Sequence, residues 1–326
     1  MAGVFMKLRS FPTIAAAISL FRIGVSLCLL LAVIIWLQSV CPAADKGDEA
    51  PKSFRTGFMQ NVFYNTDPRD AKAVLEVHSR EISRIMGLPL TPKVVMFSEM
   101  DSMAKALRKG ELELAAIPSV EYLRIRKTIP LIPSFVGTNS NGQGITYVVI
   151  TRKDSGIRSF SDLKGKSILI PAVAKYESSQ IWLEVLLMKT DKGGRETFFS
   201  QVKESPKISN AIMGVFFKQV DAAIVTRSGL NTSRELNPQL DVQLTVLAES
   251  PNLSDAVVCL IPGTSERFRN QIYNAMLQLN DTKSGRQIYT IFQTNGITPF
   301  KAEYLEGLEN LISEHKHLRA KSIPRK

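Results

Sequence analysis

From Ser53 onward the chain alternates strands and helices with short joints, and this rhythm limits the fold more than any other feature. "FRTGFM" reads as a first strand and "NTDPRDAKAVLEVHSREISRIMG" as a helix. Asp67 fits the N-cap of that helix, Pro68 its first position and Gly87 the residue just past its end. Val74, Val77, Ile82, Ile85 and Met86 recur at helical spacing. "KVVMF" is a buried strand. "SEMDSMAKALRKG" is a second helix, with Ser98 and Asp101 as a capping box and Gly110 as the stop, and "LELAAIP" is a third strand. A β-α-β-α-β order builds a parallel sheet flanked by helices.

A second unit opens at "ITYVVITR". "SFSDLKGK" makes one helical turn, with Ser159 as N-cap, Asp162 at the third position and Gly165 ending it; "SILIP" returns as a strand. Helices follow in "SQIWLEVLLMK" and "ISNAIMGVFFKQ", and strands in "VDAAIVT", "VQLTVLAES" and "AVVCLIP". The segments "SERFRNQIYNAMLQLNDTKSGRQIYTIFQ" and "KAEYLEGLENLISEHKH" are helical by period. "NSNGQG", residues 139 to 144, is rich in glycine but precedes a strand, so it reads as a loop or hinge turn and not as a phosphate cradle.

The N-terminus differs from all this. Lys7, Arg9 and Arg22 are its only charges before Asp45, and an apolar run of 18 residues, "IGVSLCLLLAVIIWLQSV", follows Arg22. Residues 1–44 therefore read as a signal peptide, with Ser39, Cys41 and Ala43 as the cleavage cue, or as an uncleaved membrane anchor. Lipid attachment at Cys41 fits less well, because Val40 stands where a lipoprotein signal carries a small residue. Either way the positive charge stays inside and the remainder is sent outward. Cys28 and Cys41 belong to this segment, which leaves Cys259, in the apolar "AVVCLIP", as a buried thiol with no disulfide partner.

Taking the three early basic residues from the net charge of +11 leaves +8, and the tail "HKHLRAKSIPRK" supplies part of that excess. The tail reads as a solvated, frayed end or as a contact for anionic lipid or a partner. An exported chain has no nucleic acid to meet.

Three stretches together, "ALRKGELELAAIPSVEYL", "YVVITRKDSGIRSFSDLKGKSILI" and "VFFKQVDAAIVTRSGL", resemble the extracytoplasmic solute-binding proteins of phosphate, phosphite and phosphonate ABC transporters. The likeness runs through residues 53 to 300 in family order, and "TRKDSGIRSFSDLKGK" is its most specific part. It implies an α/β, two-lobe, type 2 periplasmic-binding-protein fold, with mixed or parallel sheets flanked by helices and two hinge crossings. One lobe would take residues 52–146 plus 250–326 and the other 147–249, with crossings near "GITYVV" and "LTVLAES". Ligands of such sheets sit beyond the carboxyl ends of the strands, here in a cleft that closes by hinge motion. Helix starts at those ends offer unpaired N–H groups and a positive dipole end to an anion.

The resemblance also points to residues. Tyr122 falls where the family has a pocket tyrosine, or else it is a packed aromatic; Ser119 precedes it at a helix start. In "PAVAKYESSQIW" the family's Ser-Thr-Ser-Gly-like run is missing, and Tyr176, Ser178 and Ser179 stand in the region, the serines as anion donors or as simple caps. Glu177 beside them would disfavour a plain dianion unless Lys175 offsets it. Asp221 is a pocket aspartate by family position or a structural one. Ser209 or Asn210 replaces the family histidine, and Tyr64 and Asn65 follow the first strand.

No Gly-x-Ser-x-Gly motif, Walker loop or cysteine pair is present, and the histidines are His78 in the first helix and His315 and His317 in the basic tail. The tail pair reads as solvated and not as a metal site. No enzyme activity, metal or cofactor is expected. The expected partners are a small polar, anionic solute and an ABC permease in the inner membrane, with the binder itself a periplasmic monomer. The alternative is an anchored sensor of the same fold that signals to a separate membrane protein.

Overall fold

The computed structural model describes residues 52–63, 66–139, 142–172, 176–190, 194–292 and 294–322. The apolar run at 23–40, Tyr64, Asn65 and Lys175 lie outside these ranges. Among the described residues no helix is long and apolar enough to cross a membrane.

The first part of the chain runs β1 (Ser53–Met59), α1 (Pro68–Ile85), β2 (Thr91–Phe97), α2 (Met100–Arg108), β3 (Leu114–Pro118), α3 (Ser119–Ile125), β4 (Ile132–Asn139) and the short β5 (Gly142–Gln143). The Asp67 carboxylate accepts the Arg69 N–H at 2.9 Å, so the expected cap of α1 is present. Gly87 and Gly110 close α1 and α2 with φ of +68° and +65°, a region that favours glycine. The Ser98 capping box does not form. Helix α2 begins at Met100 with an extended Glu99 before it and no side-chain cap, which puts Ser98 one residue too early.

The middle part runs β6 (Tyr147–Arg152), β7 (Ser167–Pro171), α4 (Glu177–Thr190), α5 (Arg195–Phe198), β8 (Gln201–Ser205), α6 (Ile208–Phe216), β9 (Ala222–Thr226), α7 (Arg227–Leu236), α8 (Gln239–Gln243) and β10 (Leu244–Glu249). Between β6 and β7 the Asp162 carboxylate accepts the N–H groups of Arg158 and Ser159, each at 2.9 Å, and so ties off the single turn at Phe160–Leu163. The last part runs β11 (Ala256–Leu260), α9 (Glu266–Leu279), α10 (Lys283–Ile291), β12 (Gly296–Pro299) and α11 (Glu306–Ser322).

The strands form two mixed sheets. The first has the order β12-β4-β11-β3-β1-β2, with β5 beside β4; the second has the order β10-β6-β9-β7-β8. β3, β1 and β2 are parallel, as are β9, β7 and β8, while β11 and β6 run antiparallel to their neighbours. Period-2 alternation serves two cores at once: Tyr147 and Val149 of β6 face the α4 and α11 side, and Val148 and Ile150 face α6 and α7. In the first sheet, Phe54, Phe58, Leu114 and Phe135 pack under α1, α9 and α10, and Ala115, Ile117, Val257 and the buried free thiol of Cys259 pack on the α2 side.

Two segments pass between the sheets, 144–146 outward and 250–255 back, and they lie side by side. Ile145 and Leu253 exchange N–H···O bonds of 2.7 and 2.9 Å. Tyr147 N–H donates to Ser250 Oγ at 2.8 Å. Gly144 has φ +100°, and a Cβ there would sit 2.5 Å from Leu253 O, so the two ribbons touch only because this residue has no side chain.

The C-terminal segment departs from expectation. Its helix α11 packs chiefly along α4 of the second sheet, with Leu308 and Leu311 in that core. The basic tail is helical through Ser322 instead of frayed. His315 is largely buried and meets Glu184 Oε2 at 2.5 Å, so it is not the solvated histidine its tail position suggested.

Candidate functional site

The carboxyl ends of β3 and β7 both lead to helix starts beside the crossings, and polar side chains from both sheets collect there. Ser119, the first residue of α3, is fully buried, and its Oγ lies 2.8 Å from Ser254 Oγ. Its N–H donates to Asp255 O at 2.8 Å, so the return crossing closes the start of α3. From the other sheet, the Tyr147 hydroxyl lies 3.1 Å from Ser178 Oγ at the start of α4, and Tyr176 sets its ring edge-on to Tyr147 at 6.3 Å. Burial first, and then the negative charge of Asp255, push the phenols of Tyr147 and Tyr176 up, so both stay protonated. The result is two groups of hydroxyls at the helix starts, with the Asp255 charge felt by the tyrosines, suited to holding a polar group by hydrogen bonds.

Glu177 does not face this cluster unpaired. The Arg124 guanidinium of α3 grips it, with one bond of 3.3 Å and one shorter, and also holds Glu121 at 2.9 Å. An arginine attached to the other sheet thus offsets the Glu177 charge, while Lys175 lies outside the described residues.

Of the residues singled out from the sequence, Ser119, Tyr176 and Ser178 come together here. Ser179 is buried, and its hydroxyl caps its own helix through Tyr176 O at 2.7 Å. Tyr122 packs in the core with Met103 and Cys259, and burial raises its phenol pKa. Asp221 stands at the opposite end of the second sheet. Its carboxylate accepts the Ser167 N–H at 2.8 Å and the Ser167 hydroxyl at 2.7 Å, which fixes the starts of β7 and β9. Ser209 and Asn210 are exposed on α6. Sequence reasoning missed Tyr147, Arg124, Ser254 and Asp255. The last two had a usable signal, since they sit at the return crossing directly before β11.

A cavity of about 180 Å³ opens from the same crossings into the core of the first sheet. Ser254 and Asp255 stand at its crossing end; Phe58, Leu114, Ala116, Val258 and Met276 line its depth.

A family model described as "ABC transporter, phosphonate, periplasmic substrate-binding protein" matches residues 65–305. The chain belongs to this family. Solved structures agree in fold. XAC2383 from Xanthomonas citri bound to ATP is 14% identical, with a TM-score of 0.61 over 83% of this chain and 99% of that one. A binding protein component of an ABC phosphonate transporter from Pseudomonas aeruginosa is 14% identical, with a TM-score of 0.60 over 85% and 90%. PhnD1 from Prochlorococcus marinus in complex with methylphosphonate is 16% identical, with a TM-score of 0.58 over 84% and 100%. No curated protein sequence matches this phosphonate-family binding protein. The shared fold is that of the type 2 periplasmic binding proteins, and the family's role is solute binding outside the cytoplasm.

Proposed function

We propose that the protein captures a small anionic, phosphonate-like solute between a lobe of residues 52–146 plus 250–305 and a lobe of 147–249 that α11 joins through α4, and hands it to an ABC permease in the inner membrane. The observation that carries this reading is that the helix starts after β3 and β7 are joined across the crossings by the Arg124–Glu177 pair, while the Asp255 charge beside Ser119 and Ser254 acts on Tyr147 and Tyr176 of the other sheet. Closing the crossings brings the two sets of donors onto one guest. Asp255 within the set favours solutes that carry an amino group as well as the anion, because it repels a bare dianion. The protein acts as a periplasmic monomer, and residues 1–44 either leave on export or tether it to the membrane.

Thermal shift on the purified protein tests the ligand class, with phosphate, phosphite, alkyl- and aminoalkylphosphonates, sulfonates and amino acids as the panel. A ligand at a hundred times its Kd adds about 2.7 kcal/mol to stability and raises Tm by about 5 °C or more. Ser119→Ala and Tyr176→Phe should reduce the rise without lowering the Tm of the free protein by a comparable amount. A response from sulfonates or amino acids with silence from every phosphorus compound would overturn the ligand class.

A further inference from the structure

The cavity beneath the first sheet contains two polar atoms that nothing in the cluster at the crossings explains. His78 on α1 and Tyr289 on α10 are more than nine-tenths buried, and both line it. Among the described residues, His78 Nδ1 and the Tyr289 hydroxyl have no hydrogen-bond partner. Their rings stand edge-on with centroids 6.4 Å apart, so the two atoms belong to one neighbourhood. A buried polar atom without a partner costs about 1–3 kcal/mol, and a fold does not gather two of them in one hollow at random.

We propose that this cavity is a second binding site, which takes an uncharged aromatic molecule of one ring bearing a hydroxyl, the phenol class. Size, wall and polarity each support that chemistry. An apolar cavity of ~150 Å³ is enough to hold benzene, and this one measures about 180 Å³, largely apolar in its wall with Thr138, Asn139, Thr294 and Asp255 as polar exceptions. Its wall includes Phe58, Phe63 and Phe292, whose rings already pack at 5.8 and 4.5 Å, the spacing at which an added ring gains edge-to-face contacts. Burial lowers the His78 pKa to about 4 and raises that of Tyr289, so both are neutral at pH 7. A neutral acceptor–donor pair matches a hydroxyl, and Asp255 at the crossing end opposes an anion.

The test uses the full-length purified protein and no phosphorus compound, so it stands or falls separately from the transported solute. Phenol and 4-methylphenol should bind at one site in calorimetry and raise Tm, and toluene should bind about five-fold more weakly, the worth of one hydrogen bond. Tyr289→Phe should erase the preference for phenol while keeping toluene binding. Ala116→Leu, which fills the cavity, should abolish both while leaving any response to the phosphonate panel unchanged. If Ala116→Leu lowers Tm so far that binding cannot be measured, the Tyr289→Phe comparison decides. No saturable binding of either compound to the unaltered protein would overturn the site. So would binding that survives Ala116→Leu in a folded protein, or equal affinity for phenol and toluene.

Discussion

The two sheets share one strand plan and differ in how their cores are filled. In each, three parallel strands continue into an antiparallel strand that enters directly from a crossing: β2-β1-β3 meets β11, and β8-β7-β9 meets β6. Around Phe160 the second sheet is tightly filled, and its pocket lies farther out, at the surface between α4 and α11, lined by Trp182, Leu186 and Leu311. Phe160, Phe198 and Phe199 interlock with centroids 4.9 to 6.3 Å apart, and Leu163, Leu183 and Ile224 have no exposed surface. The first sheet keeps a hollow on its α1 side with two polar atoms that have no partner among the described residues. Topology therefore does not decide where a guest fits; side-chain volume does. The first sheet's hollow runs into its core past two buried polar atoms, whereas the second sheet's pocket lies between two surface helices.

Matched truncations should expose the difference most strongly. Ile224 in β9 is enclosed on every side, while Ile288 on α10 faces the cavity. Ile224→Ala should cost about 4 kcal/mol, near the upper part of the range for enclosed isoleucines. Ile288→Ala should cost about 2 kcal/mol, because the side facing the hollow has few partner atoms to lose. Urea unfolding monitored by circular dichroism measures both. Equal costs would mean that the two cores are packed alike and the hollow is filled.

Acid should separate the halves next. His78 is held neutral by burial with a pKa of about 4, against 6.5 for the free group. Its folded pKa is depressed, so the unfolded chain takes up the proton first. The stability from this residue is complete above pH 6.5 and is lost as pH falls toward 4, by up to about 3 kcal/mol. His78→Phe removes the titrating group. The unaltered protein should lose about that much more stability than the variant between pH 7 and pH 4, by urea midpoints at each pH. Parallel losses in both proteins would show that His78 reaches water.

The sequence made local chemistry legible and left the packing hidden. The Asp67 cap, the Gly87 and Gly110 stops and the Asp162 turn are set by residues within a few positions, and all four stand as expected. The Ser98 box failed because a cap depends on the helix phase to a single residue. Tyr122 follows β3 directly, yet it turns into a core completed by Cys259, more than a hundred positions away. Asp221 bonds Ser167 by position as much as by type. It stands at a strand start, and a parallel sheet receives ligands at the other end. The hollow could not be seen at all, since it is a shortage of atoms between helices that begin at Pro68 and Lys283.

The smallest effect on stability belongs to the link between the two halves. Arg124 on α3 reaches Glu177 at the start of α4, and both side chains are over a third exposed. An exposed ion pair is worth about 0–1 kcal/mol, so Arg124→Ala should barely move the urea midpoint. Binding should respond more. Without Arg124, Glu177 stands uncompensated beside Tyr176 and Ser178, and a like charge at that distance opposes an anion by about 1 kcal/mol or more. Affinity for whichever phosphonate the panel selects should fall about five-fold or more, and Arg124→Ala/Glu177→Gln should restore most of it. Restoration in the double variant separates charge balance from a lost direct contact, because a guanidinium that touched the ligand itself could not be replaced by removing its partner's charge.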